Sequence, residues 1–168
     1  MSSHIIRRAL PDDATPLSVF AARLFRSTYS DDTAAADLDA YIEGHLTAGH
    51  FAAEIADPEG AVFLAMAGDA IAGYIHLLAR ADEGPLAVLN RIYVDTAFRG
   101  SGLSGALLQA VIDEAKRRDA ARLQLTVYER NKRAIAFYGK MGFVTVGTTT
   151  FVVGDDPQTD FVMQLRLS

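Results

Sequence analysis

The stretch LAVLNRIYVDTAFRGSGLSGALLQAVIDEAKRR, from Leu86 to Arg118, decides the fold. Leu86 to Val94 is rich in Leu, Val, Ile and Tyr and predicts a strand. Gly102 to Arg118 predicts a helix, with Leu103, Ala106, Leu107, Ala110 and Val111 on one apolar face. The turn between them holds Gly100 and Gly102, which let the backbone take unusual φ values and approach a ligand closely. The first N–H groups of a helix have no partner within it and point outward, a geometry that binds phosphate. A pyrophosphate is expected over the backbone amides of Arg99 to Gly105. The segment is not a Walker A loop, since no Gly-Lys-Ser/Thr follows. Nor is it a dinucleotide fingerprint: its glycines are spaced differently and its strand lies mid-chain.

Upstream, His4 to Ala9 predicts a short strand. Pro11-Asp12-Asp13 predicts a helix start in which Asp caps free N–H groups, and Leu17, Phe20, Ala21, Leu24 and Phe25 follow at helical spacing. A second helix is expected over about Ala34 to Ala48 and a short third over Phe51 to Ile55. Val62 to Ala67 and Ile71 to Leu78 flank the hairpin turn Gly68-Asp69. Downstream, Leu123, Leu125 and Val127 alternate as a half-buried strand, and Lys132 to Met141 is a short helix closed by Gly142. Val144 to Val153 and Phe161 to Leu167 are final strands joined by a loop from Gly154 to Gln158. The order predicts one α+β domain over residues 1–168 with a mixed, mostly antiparallel central sheet flanked by helices. The strand-helix-strand unit from Leu86 to Val127 supplies one parallel pair.

The chain has 168 residues and no cysteine, which excludes disulfides, thiolate metal sites and a cysteine nucleophile. A net charge of -5 argues against nucleic-acid binding and is compatible both with a cationic substrate and with plain solubility. No apolar run approaches the ~20 residues that span a membrane, and the N-terminus has no long apolar core of a signal peptide, so the expected location is cytoplasmic. The four histidines are scattered without ligand spacing, and no metal site is expected.

Arg99-Gly100-Ser101-Gly102-Leu103-Ser104 resembles the acetyl-CoA motif of the GNAT N-acetyltransferases, Arg/Gln-x-x-Gly-x-Gly/Ala, with Ser104 departing at the last position and Gly105 following. Asn131 to Phe143, NKRAIAFYGKMGF, resembles that family's second signature, Asn-x-x-Ala-x-x-Phe-Tyr-x-Lys-x-Gly-Phe. The resemblance covers essentially the whole chain. Within the family the chain is most similar to bacterial spermine/spermidine N-acetyltransferases, through Phe25-Arg26-Ser27-Thr28-Tyr29, Arg91-Ile92-Tyr93-Val94 and Gly154 to Asp160. Relatives often carry Glu just before the Arg-Ile-Tyr-Val stretch. Here the residue is Asn90, so a base role cannot be carried over to it.

The resemblance implies acetyl-CoA as co-substrate, a small amine as acceptor, and two parallel strands that splay apart to admit the pantetheine. It implies that N–H groups near Ile92, Tyr93 and Val94 hold the thioester oxygen, and that Arg99, Gly100, Ser101, Gly102, Leu103, Ser104 and Gly105 hold the pyrophosphate. Tyr138 would donate a proton to the sulfur, as a phenol with pKa ~10 can. Asn131 would bond the cofactor or orient its helix. Ala134, Phe137 and Lys140 complete the cofactor motif, with Phe137 also a core aromatic. For the base, Glu54, Asp82, Glu83 and water chains stay open, and Tyr93 could instead line the amine tunnel. Thr28, Tyr29, Asp31 and Asp32 are expected at the acceptor, although the acidic set Asp31, Asp32, Asp37, Asp39 and Glu43 reads equally as a solvated helix face. Other acceptors (protein N-termini, lysine, aminoglycosides) and a non-catalytic acetyl-CoA sensor are the competing readings. A homodimer through the late strands is also implied.

Overall fold

A computed structural model of the chain describes residues 4–31, 33–80, 86–98, 100–153 and 156–167. Its strands are β1 (Ile5–Arg8), β2 (Ala61–Ala67), β3 (Ala70–Arg80), β4 (Leu86–Val94), β5 (Arg122–Tyr128), β6 (Val144–Val153) and β7 (Asp156–Arg166). Its helices are α1 (Ala14–Tyr29), α2 (Ala35–His45), α3 (Ala48–Ala56), α4 (Leu103–Arg117) and α5 (Lys132–Lys140). The strands form one seven-stranded sheet in the order β1-β2-β3-β4-β5-β7-β6. The sheet is mixed and mostly antiparallel, with β4 and β5 parallel, as expected. Two compact units are distinguished: Met1–Leu77 with Arg91–Val111, and Leu78–Asn90 with Ile112–Ser168.

In the first unit, Leu17, Phe20, Ala21 and Leu24 form the buried stripe of α1 and join a core with Phe51, Val62, Leu64 and Tyr74. The start of α1 differs from expectation. Pro11–Asp13 forms a 3-10 turn, and the Asp13 carboxylate does not cap α1. It faces backward, accepting from the Leu10 N–H at 2.7 Å and pairing with Arg7 at 2.8 Å. An arginine within reach on β1 wins over the helix amides because a charge-assisted bond is the stronger one. The helix expected from Phe51 begins earlier, at Ala48, because Thr47 caps it, its hydroxyl accepting from the His50 N–H at 3.3 Å. The helix expected over Ala34 to Ala48 ends at His45.

The hairpin of β2 and β3 turns at Gly68, whose φ is +62°. It carries one β-bulge: Ala65 faces Gly73 and Met66 faces Ile71, leaving Ala72 as the extra residue. The Ala72 carbonyl accepts the N–H of Asp95 at 2.8 Å, just past the end of β4. Next to the bulge, a Cβ on Gly73 would stand 3.0 Å from Leu107 Cδ1 and from the Tyr93 carbonyl. Glycine therefore lets α4 and β4 close on β3.

In the second unit, β4 pairs with β5 only at Leu86↔Arg122, Ala87↔Leu123 and Val88↔Gln124. Among the described residues this ladder stops there, although β4 runs on to Val94 and β5 to Tyr128. Within that unit the parallel pairing is already lost at Leu89 and Asn90. β7 starts at Asp156, well before Phe161, because Asp156, Pro157 and Gln158 pair with Val153, Val152 and Phe151 of β6. The polar end of β7 has no apolar face to advertise it, and its pairing with β5 reaches only to Asp160, so Pro157 meets a single neighbouring strand. Of the loop expected there, Gly154 and Asp155 lie outside the described residues. On α4, Leu108 and Ile112 are buried and Ala106 is exposed, so the core stripe lies slightly off the expected face. No helix among the described residues is long and apolar enough to cross a membrane.

Candidate active site

The β4–α4 connection is built from Asp95 outward. Its carboxylate accepts the Ala97 N–H at 3.1 Å and its carbonyl accepts the Phe98 N–H at 2.9 Å, setting a 3-10 turn over Thr96–Phe98. Arg23 of α1 pairs with the same carboxylate at 2.9 Å and holds it below the usual carboxylate range. The Phe98 carbonyl then takes the Ser101 hydroxyl at 2.5 Å. Gly100 and Gly102 have φ of +82° and +83°, where L side chains are strained. Among the described residues the first helical bond of α4 is Ala106 N–H to the Gly102 carbonyl at 3.1 Å, so the amides of Ser104 and Gly105 precede it with no helical partner there. The Leu103 side chain is buried, which anchors the turn from below. Among the described residues, a Cβ added at Gly100, Gly102 or Gly105 would meet nothing within 4 Å apart from its own chain neighbours and helix backbone. This bare backbone cradle fits a pyrophosphate. Arg99 lies outside the described residues.

In the second unit, Asn131 caps α5, its side-chain oxygen accepting the Ala134 N–H at 3.2 Å. Gly142, with φ +101°, closes the helix. Tyr138 is 7% exposed, with its ring 5.7 Å from Phe143 and 5.3 Å from the half-buried Phe137. Burial pushes its phenol up to about 12, so it stays protonated across the neutral range. Lys140 is exposed in the last turn of α5.

On β4, alternate side chains serve opposite faces. Val94 lies beside Gly73 with Leu107 of α4, and Ile92 shares its parity. Arg91 and Tyr93 point the other way, toward α3 and the Tyr74 side of β3. The Tyr93 ring lies 5.4 Å from Tyr74, which lies 5.4 Å from Phe51. Arg91 stacks over Phe51 at 5.5 Å and ion-pairs with Glu54. Burial, and then the charges of Tyr41 and Tyr29, push the Tyr93 phenol up to about 12. Tyr29 and Tyr41 are 45% and 37% exposed and flank Phe25, with ring distances of 4.8 and 4.4 Å. The acidic set expected at the acceptor divides. Asp39 is engaged by Arg26 at 2.5 Å, Asp31, Asp37 and Glu43 are exposed, and Asp32 lies outside the described residues. The Thr28 hydroxyl donates to the Leu24 carbonyl at 2.8 Å. Of the base candidates, Glu54 lies in this cluster, while Asp82 and Glu83 lie outside the described residues. Among those residues no group of His, Asp and Glu is placed to hold a metal.

Comparisons with known proteins give the family. The acetyltransferase (GNAT) family profile matches residues 22–143. The chain belongs to the GNAT acetyltransferase family. It is an acetyl-CoA-dependent N-acetyltransferase. An uncharacterized N-acetyltransferase of Mycobacterium tuberculosis is 32% identical over 155 residues, covering 92% of this chain and 98% of that one. The [ribosomal protein bS18]-alanine N-acetyltransferase of Escherichia coli is 36% identical over 84 residues, 49% of this chain and 57% of its own. In fold, the chain matches a paia N-acetyltransferase of Thermoplasma acidophilum, solved in complex with coenzyme A. That match has a TM-score of 0.81 and 21% identity and covers 98% of this chain and 99% of that one.

Asp95, Tyr74, His76 and the pairing of Glu54 with Arg91, all near the candidate site of this acetyltransferase, carry no expectation from sequence. Asp95 organises the cradle, and its signal was local: an Asp between a strand and Thr-Ala. Tyr74 and His76 are two polar side chains at i, i+2 in the otherwise apolar run Ala70 to Ala79, and that interruption was legible. The Arg91–Glu54 pair joins residues 37 apart in sequence and carried no local signal.

Proposed function

We propose that this acetyltransferase moves the acetyl group of acetyl-CoA directly to a primary amine of a small, cationic, polyamine-like acceptor within a ternary complex. The supporting observation is the aromatic set Phe25, Tyr29, Tyr41 and Tyr93, with Asp37 one turn before Tyr41 on α2. Exposed tyrosine faces beside carboxylates attract ammonium groups. Acetyl-CoA supplies an activated thioester whose carbonyl carbon accepts the amine. The Gly100–Gly105 amides hold its pyrophosphate, and N–H groups of Ile92 to Val94 stabilise negative charge on the carbonyl oxygen. Asn131 orients α5 and so carries Tyr138, the proton donor to sulfur. A phenol near 12 is a weaker acid than a thiol at ~8.5, so Tyr138 first donates a hydrogen bond and gives up its proton as charge collects on sulfur.

A second acceptor class, the terminal amine of a protein, is favoured by the likeness to the enzyme acting on ribosomal-protein alanine. Thiol release from acetyl-CoA across spermidine, spermine, lysine, an alanine-starting peptide and an aminoglycoside separates the two. Release with polyamines alone supports the first reading; release with the peptide alone replaces it by the second. A homodimer belongs to the same proposal, because Val144 and Val146 of the edge strand β6 are 61% and 53% exposed. A monomeric mass by light scattering would remove it.

A further inference from the structure

The roles assigned so far leave a polar cluster inside the first unit unused. Glu54 of α3 meets Arg91 of β4 through one carboxylate oxygen. Its other oxygen, Oε1, is buried, lacks a hydrogen-bond partner and lies 3.4 Å from His76 Nδ1 on β3. The Tyr74 hydroxyl and the Arg91 Nε are also buried without hydrogen-bond partners. Buried polar atoms normally find partners, so several in one cluster mark a place where protein does not complete the hydrogen bonding. Tyr93 borders the same cluster, its ring 5.4 Å from Tyr74, and is near enough to Tyr41 and Tyr29 to feel their charges.

We propose that Glu54 takes the proton that the acceptor ammonium must lose, and that Arg91 is a positioning residue that keeps the Glu54 carboxylate charged and in place. The inference rests on the amine-acetylating activity proposed above. The proton passes from R-NH3+ to the carboxylate, and the nitrogen lone pair attacks the acetyl carbon. The C–S bond breaks with its electron pair on sulfur, which takes the Tyr138 proton. The second proton shed by nitrogen restores Tyr138, and Glu54 returns its own to water. Ammonium and thioester thus give amide, thiol and one proton.

The surroundings of Glu54 suit this role. Burial pushes its carboxyl up, and the charge and hydrogen bond of Arg91, followed by His50 on its own helix, pull it back. The other titratable groups of the cluster are Tyr74 and His76 of β3, Tyr93 of β4 and Asp57 after α3. His76 is 2% exposed, and burial, then Arg91, lowers it to about 4. It is therefore neutral at working pH, and its contact with Glu54 is not an ion pair. Arg91 is thus the principal cation fixing the Glu54 charge.

The test is the pH profile of kcat/KM for wild type, Glu54→Gln, Arg91→Met and Arg91→Lys, with acetyl-CoA affinity measured in each. Glu54→Gln should lose about 10²-fold near neutrality and recover most of it where the amine deprotonates unaided. Arg91→Met should move the acid limb upward by a pH unit or more, since burial then acts without its counter-charge, while Arg91→Lys should leave the limb near its wild-type place. A loss in Glu54→Gln that is constant across pH would overturn the proposal and leave a structural ion pair. So would an Arg91→Met profile that falls without moving. Should Arg91→Met fail to fold, the Glu54→Gln profile decides alone. No transfer by wild type to any amine would overturn the amine reading as well, whereas wild-type transfer with unmoved profiles overturns this proposal only.

Discussion

Tyr138 and Gly102 show how different the demands on single residues are. Tyr138 is held by rings on two sides, so removing its hydroxyl leaves the packing intact. Tyr138→Phe should lower kcat by about 10²- to 10⁴-fold, with acetyl-CoA affinity by calorimetry within twofold of wild type; undiminished kcat would remove the donor role. At Gly102 the backbone itself is the functional group. Gly102→Val combines strain at φ +83° with a side chain filling the cradle, so acetyl-CoA should bind at least ~10-fold more weakly while the circular dichroism stays native. Unaltered affinity would place the pyrophosphate elsewhere. Asp13 carries a pH signature. Its hydrogen bond to Arg7 lowers its folded pKa, so its contribution is present above the unfolded value near 3.9 and fades as pH falls through the lower folded one. The urea-stability gap between wild type and Asp13→Asn should therefore be constant above about pH 5 and shrink below about pH 4.

At the scale of elements, local chemistry was readable and distant pairing was not. The β2–β3 hairpin announced itself through Gly68-Asp69, and β4, the glycine turn and α4 were found within a residue or two, because each depends on neighbours in sequence. The early start of α3 was hidden by Gly49 and His50, poor helix formers overruled by the Thr47 cap. The polar start of β7 was hidden because only pairing with β6 defines it. At the site, the cradle was legible, whereas the Glu54–Arg91–His76 grouping needed α3, β3 and β4 brought together. Gly73 belongs at this scale. A valine there would push on both Leu107 and the Tyr93 carbonyl, so Gly73→Val should destabilise by about 1–3 kcal/mol in urea titration. A neutral result would mean that β4 and α4 give way more easily than close packing allows.

At the scale of the whole molecule, His76 ties stability to acidity. Its folded pKa near 4 lies below the ordinary 6.5, so between those values the unfolded chain binds more protons and folding weakens as pH falls. The full difference is on the order of 3 kcal/mol. Thermal melts from pH 7.5 to pH 4.5 should show a steeper fall for wild type than for His76→Gln; parallel curves would mean the histidine is not held neutral. The alternation along β4 has a different kind of consequence. Arg91 and Tyr93 look toward α3 while Ile92 and Val94 look toward α4, so one short strand writes two messages in interleaved letters. On the roles proposed above, descent can revise the odd-numbered letters, and with them the fit to the amine, while the even-numbered ones stay as inherited. A lineage with those proposed roles would be free to change its acceptor without relearning how to hold its donor.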